Sequence, residues 1–176
     1  MAMARADQKV IPSTYRVVPR TLCFVTRGED LLLLRGAPDK RIWPNLYNGL
    51  GGHVEADEDV FSAARREIAE EAGLEAEDLA LRGVVNIEAE EGAGAGILLF
   101  VFSATARSGN VIASDEGELE WVPISRVAEL DLVEDLPVIL PRVLAMKRGD
   151  PPFFARYYYD EEDSLRIEFA DSTGHG

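Results

Sequence analysis

Glu67, Glu70 and Glu71 stand three and four positions apart within the stretch from Gly52 to Leu74, GHVEADEDVFSAARREIAEEAGL. On a helix that spacing raises the three carboxylates from adjoining positions of one side. Alone, such a grouping is unfavourable. Glu67 and Glu71 form a like-charge i, i+4 pair near a helix C-terminus, where the dipole is already negative; each effect costs about 0.3–1 kcal/mol on a surface. A hard divalent cation turns the cost into a binding site, because Mg²⁺ favours a few carboxylates together with waters and phosphate oxygens. The alternative is a solvated acidic face paired with Arg65 and Arg66.

The elements that position these groups can be read outward from them. Phe61, Ala64, Ile68 and Ala72 make a narrow apolar stripe at the helical period. Asp57 is the expected N-cap, with Glu58 and Asp59 in the first turn, and Gly73 followed by Leu74 has the form of a Schellman ending. Ahead of the helix, Gly49-Leu50-Gly51-Gly52 puts three glycines in four residues, as where backbone must approach something closely or take a positive φ. TLCFVT (21–26) and DLLLL (30–34) are expected to form a hairpin turning at Gly28, and residues 36–48, with Pro38 and Pro44, a loop. Residues 81–88, 97–104 and 118–122 have strand character. Residues 135–147 have that of a second helix despite Pro137 and Pro141, and 153–159 with 165–169 that of a closing hairpin. Helices interspersed among many strands imply a mixed sheet with helices on both faces.

Gly52, five residues, Glu58, seven residues, then Arg66-Glu67-Ile68-Ala69-Glu70-Glu71-Ala72-Gly73-Leu74 is a fixed pattern that resembles the Nudix box. The chain is similar to the Nudix hydrolase superfamily over roughly residues 15–170, and only the box is sharp. The resemblance implies an α/β/α sandwich in which a loop–helix–loop holds Mg²⁺ or Mn²⁺ against a pyrophosphate. It implies Glu67 and Glu71 as metal ligands and Glu70 as ligand or general base. Glu58 and Arg66 then orient the helix and loop, and the carbonyl of Gly51 joins the metal shell. A further carboxylate from a distant loop is assigned to Glu116, with Glu118 and Glu120 as rivals, and Arg35 is a candidate for the substrate phosphates. YNGLGG, EWVPI and EDLPVILPRVLAMKRG resemble the branch that removes oxidised purine nucleoside triphosphates, the MutT-type 8-oxo-dGTP diphosphatases. That likeness maps base recognition onto Asn48 and approximately onto Glu134 and Asp135. Those relatives carry an aromatic residue just before the acidic pair where this chain has Leu132 and Val133, so the base-stacking wall is either missing or supplied by Trp43.

Bulk properties set the remaining bounds. The 176 residues, 47% hydrophobic and 28% charged, suit one globular domain, expected over 14–170 between tails at 1–13 and 171–176. A formal charge of −14 argues against a nonspecific grip on nucleic acid or anionic lipid and leaves a small nucleotide as the expected partner. The single cysteine, Cys23, sits in an apolar run as a structural thiol. MAMARADQKV lacks the apolar core of a signal peptide, and no apolar run is of membrane-spanning length, so a cytoplasmic protein is expected. Two further functions stay open at this point: hydrolysis of another diphosphate, such as ADP-ribose or a nucleotide sugar, and a non-catalytic nucleotide-binding module.

Overall fold

β1 (Val17–Arg27) and β2 (Asp30–Gly36) form the expected hairpin. Arg27 lies opposite Asp30, and Gly28 has φ +62°, the value a II′ turn requires at its first central residue. The computed structural model describes residues 14–39, 41–88, 94–106, 111 and 117–170. The remaining elements are β3 (Tyr47–Asn48), α1 (Val60–Ala72), β4 (Glu77–Ile87), β5 (Gly96–Thr105), β6 (Gly117–Pro123), α2 (Leu136–Ala145), β7 (Phe153–Tyr159) and β8 (Leu165–Phe169), with a 3₁₀ segment at Ile124–Glu129.

The strands form one mixed sheet in the order β3-β2-β1-β5-β4-β7-β8. β6 lies on the free edge of β2, so that Leu32 faces Val25 on one side and Trp121 on the other. β1 runs parallel to β5 and β4 parallel to β7; the other pairs are antiparallel. Strand alternation divides the core in two. Leu22, Phe24, Leu31 and Leu33 pack with Leu136, Ile139, Leu140 and Val143 of α2. Cys23, Val25 and Leu32 point the other way and pack with Ala64, Ile68 and Ala72 of α1. Each Leu or Ile so buried contributes about 1.5–3 kcal/mol. This is the α/β/α sandwich that the resemblance implied. Among the described residues no helix is long and apolar enough to cross a membrane.

Several local expectations change. The N-cap of α1 is Asp59, not Asp57: its carboxylate accepts from the N–H groups of Phe61 and Ser62. Glu58 therefore lies outside the first turn, where Arg66 engages it. Ala63 joins the buried stripe, whereas Phe61 is 43% exposed and only sets its ring edge-on to Phe102. The helix ends in the αL form, Gly73 at φ +67° with its N–H on the Ala69 carbonyl, and Leu74 is buried beyond it. β4 starts at Glu77, four residues early, because two register shifts against β5 break the alternation that marks a strand. Tyr47 and Asn48 are not loop but a two-residue strand on β2, too short to show a period. α2 passes through Pro141 unbroken; the carbonyl left without its i+4 donor is that of Pro137, in the exposed first turn.

Candidate active site

β1 runs directly beneath the glycine loop. Thr21 N–H donates to the Gly52 carbonyl at 2.8 Å, Cys23 N–H to Leu50 at 2.6 Å, and Val54 N–H back to Pro19 at 3.1 Å. A Cβ at position 51 would lie 2.1 Å from the Thr21 carbonyl oxygen, and φ there is +145°. A Cβ at position 52 would lie 2.4 Å from Oε1 of Glu67. Glycine is thus what lets this backbone pass between β1 and the carboxylates of α1.

Those carboxylates are held from two sides. Gly51 N–H donates to Oε2 of Glu71 at 2.9 Å. The Arg66 guanidinium grips Glu58 through Nη2 at 2.6 Å and Nε at 3.1 Å, and its Nη2 also donates to the His53 carbonyl at 3.0 Å. Its Nη1 reaches Glu67 at 2.9 Å and Glu70 at 3.0 Å. These bonds, Glu58 first, keep Arg66 charged to higher pH than usual, and Arg66 holds the Glu58 carboxyl below its ordinary range. One arginine therefore ties the loop ahead of α1 to the acid row on it. Behind the row, burial raises the thiol pKa of Cys23, and the negative charges of Glu71 and Glu67 raise it further.

Among the described residues no three His, Cys, Asp or Glu side chains are gathered as a ready metal cage. What the residues do offer is two hard carboxylates, Glu67 and Glu71, against the Gly51–Gly52 backbone. That donor set fits Mg²⁺ or Mn²⁺ completed by substrate oxygens and does not fit a soft thiophilic ion. Glu116 lies outside the described residues. Of its rivals, Glu118 is exposed opposite Arg35, and Glu120 accepts from the Tyr47 hydroxyl at 2.9 Å.

A backbone seam brings the base-recognition candidates to this loop. Tyr47 N–H donates to the Asp131 carbonyl at 2.8 Å and Val133 N–H to the Tyr47 carbonyl at 3.0 Å, which aligns β3 parallel to the segment before α2. Asn48 thereby stands beside the start of α2, with Glu134 and Asp135 just beyond. The Asn48 Oδ1 accepts from Gly49 N–H at 2.8 Å. Asp135 is the N-cap residue of α2 but makes no capping bond with its side chain. It faces Tyr157 instead, and burial, with the charge of Glu134 adding, pushes its carboxyl up to about 6. Arg35 lies exposed at the end of β2, its guanidinium 5.9 Å from the centre of the Tyr47 ring. Trp43 is out on the β2–β3 loop, 47% exposed, at φ +55°, and its ring meets no other ring or cation among the described residues. A groove of about 320 Å³ opens beside Glu134, lined also by Val138, Leu165, Arg166 and Ile167. A larger hollow of about 460 Å³, bordered by Arg65, Ala69 and Gly73, is on the opposite flank of α1 from Glu67 and Glu71 and is remote from this chemistry.

Sequence inspection missed three groups. Arg20 donates to Nε2 of His53 at 3.0–3.2 Å beside the glycine loop. Thr21, buried, lies under Gly52, and Tyr157 sits below Asp135. β1 alternation could have put Arg20 and Thr21 on opposite faces; nothing local joins Tyr157 to a helix start 22 positions earlier.

Comparison with known proteins adds a family. The NUDIX domain model matches residues 16–143. A mouse protein named oxidized purine nucleoside triphosphate hydrolase is 26% identical over 145 residues, 82% of this chain and 88% of its own. The NAD-capped RNA hydrolase NudC of Pseudomonas aeruginosa is 30% identical over 117 residues, 65% of this chain but 39% of that protein. Among solved structures, a mutator MutT protein from Bacillus halodurans superposes with a TM-score of 0.72 at 25% identity, covering 87% of this chain and 97% of that one.

Proposed function

The chain belongs to the Nudix family, whose named relatives are hydrolases, and from that premise we propose that it cleaves a purine nucleoside triphosphate to the monophosphate and pyrophosphate. Oxidised forms such as 8-oxo-dGTP are the foremost substrates, and Mg²⁺ or Mn²⁺ is the cofactor. The observation that carries the proposal is the Tyr47–Leu132 seam, which sets Asn48 and the Glu134–Asp135 pair beside the loop that meets Glu67 and Glu71. The name and near-full-length match of the mouse relative support the same substrate class.

Glu67, Glu71 and the Gly51 carbonyl would hold the ion, which when bound neutralises phosphoanhydride oxygens and acidifies the attacking water. The protein's own groups do the rest. Arg66 and Glu58 fix α1 against the loop, so the carboxylates need no reorganisation during the reaction. Glu70, 61% exposed and held through one oxygen by Arg66, is the base that takes the proton of the water. Arg35 offers positive charge to the departing pyrophosphate. The Asn48 amide donates to the base, and Asp135 accepts from a ring N–H.

The test is pyrophosphate release from 8-oxo-dGTP, dGTP and dATP, with ADP-ribose and NAD as other diphosphates, in saturating Mg²⁺. Glu70→Gln combined with Glu71→Gln is expected to lower kcat about a thousandfold. An unchanged rate in that double variant would overturn the assignment of the site. Turnover confined to ADP-ribose or NAD would overturn the substrate class.

A further inference from the structure

The sheet ends differently at its two sides. β8 pairs with β7 alone, and among the described residues no strand takes its outer edge. The Asp160 N–H donates to the Ser164 carbonyl and the Ala170 N–H to the Phe154 carbonyl, so the even-numbered residues of β8 turn their backbone groups toward β7. Leu165, Ile167 and Phe169 therefore present theirs outward. An open row of that kind is a template for another strand, and proteins commonly blunt it with proline, a bulge or charge. β8, with the sequence LRIEF, has no proline, its register with β7 is unbroken, and its two charges are opposite. β6, which has only β2 as a neighbour, ends in Pro123 and exposes Glu118 and Glu120 on one face. A second copy there would set glutamates against glutamates.

We propose that β8 is a self-association edge, where two copies of the chain pair antiparallel about Ile167 and join their sheets into one. In that register Ile167 meets the partner's Ile167, and Leu165 meets the partner's Phe169, each through the outward backbone groups. Arg166 then lies opposite the partner's Glu168, twice over, at the positions without backbone bonds, where facing side chains come closest. Sliding the pairing by two residues either way sets Arg166 against the partner's Arg166 or Glu168 against the partner's Glu168, so charge selects one register. Both side chains are free enough to take part, at 54% and 57% exposed. Arg166 is steadied by Asp160 at 2.6 Å, and Glu168 by the Tyr158 hydroxyl at 2.8 Å. Leu165, Ile167 and Phe169 pack on the α2 side of the sheet, but α2 leaves the groove of about 320 Å³ open along this edge, with Val138 46% exposed in it. The second copy covers that apolar strip, and because Glu134 borders the same groove the partner stands beside the candidate base-recognition residues.

The experiment is sedimentation velocity on the full chain in ~150 mM salt, which screens the repulsion between two copies of charge −14. A five-residue strand pair is a small interface, so wild type is expected to pass from 19.3 kDa to twice that mass between about 10 µM and about 1 mM. Arg166→Glu alone and Glu168→Arg alone each set like charges face to face at both positions and are expected to weaken the dimer at least about tenfold. An equimolar mixture of those two variants restores opposite charges at both positions and is expected to dimerise as wild type does. Should a single variant melt early by circular dichroism, the double swap Arg166→Glu with Glu168→Arg in one chain again faces opposite charges and must dimerise by itself. A wild type that stays monomeric at about 1 mM overturns the proposal and leaves the edge to a strand of another protein. A wild-type dimer that both single variants keep intact overturns it as well, as does a mixture of folded variants that stays monomeric.

Discussion

At residue 52 an absent side chain is a functional part. A methyl group there would occupy the space of the Glu67 carboxylate, 2.4 Å away, and Glu67 is flexible enough to yield where β1 is not. Gly52→Ala is therefore expected to leave the melting temperature within a few degrees while lowering kcat about a hundredfold, since displacing a reacting group by an ångström costs about that much. Circular dichroism melts alongside steady-state rates check it, and a variant of full activity would refute the proposed role of Glu67. Asp135 supports a second expectation. Burial lifts its carboxyl from 3.8 to about 6, so between those values the native protein binds a proton that the unfolded chain has released. The contribution of this group to stability thus falls as pH rises through that window, and the full cost, on the order of 3 kcal/mol, stands above it. Asp135→Asn should raise the urea midpoint at pH ~7.5 and leave it little changed at pH ~4.

At the scale of the element, α1 depends on which acid closes its first turn. Asp59→Ala should lower the melting temperature by about 2–4 °C, whereas Asp57→Ala should leave it unmoved. The helix was legible from the period of Ala64, Ile68 and Ala72 and from Gly73. Its cap was not, because Asp57, Glu58 and Asp59 are chemically similar there, and Arg66, eight residues on, is what removes Glu58 from contention. The acid row and the glycine loop could likewise be found because both are contiguous in the chain. β3 could not, since two residues have no periodicity and its identity comes from Leu34, Arg35 and Leu132. The Asp135–Tyr157 contact is wholly tertiary, made by a helix start and a strand that the sequence keeps apart. Short-range pattern announced the acid row and its glycine loop, and long-range packing decided what surrounds the candidate base-recognition residues.

For the whole molecule, the charge of −14 opposes the approach of any triphosphate. At saturating divalent ion, raising the salt from about 10 to 150 mM should therefore increase kcat/KM, the reverse of what a basic enzyme shows, because screening weakens the net repulsion. A fall over that range would mean that local cations such as Arg20 and Arg35 dominate the approach. The same fold hides its single thiol at the centre, with Cys23 fully covered and backed by Glu67 and Glu71. A thiol dye added to the native protein should stay dark until the chain opens, so its labelling rate is a clock for unfolding that needs no engineering. Because that clock sits directly behind the carboxylates, magnesium should slow it, and the delay measures occupancy of the acid row without any substrate or turnover.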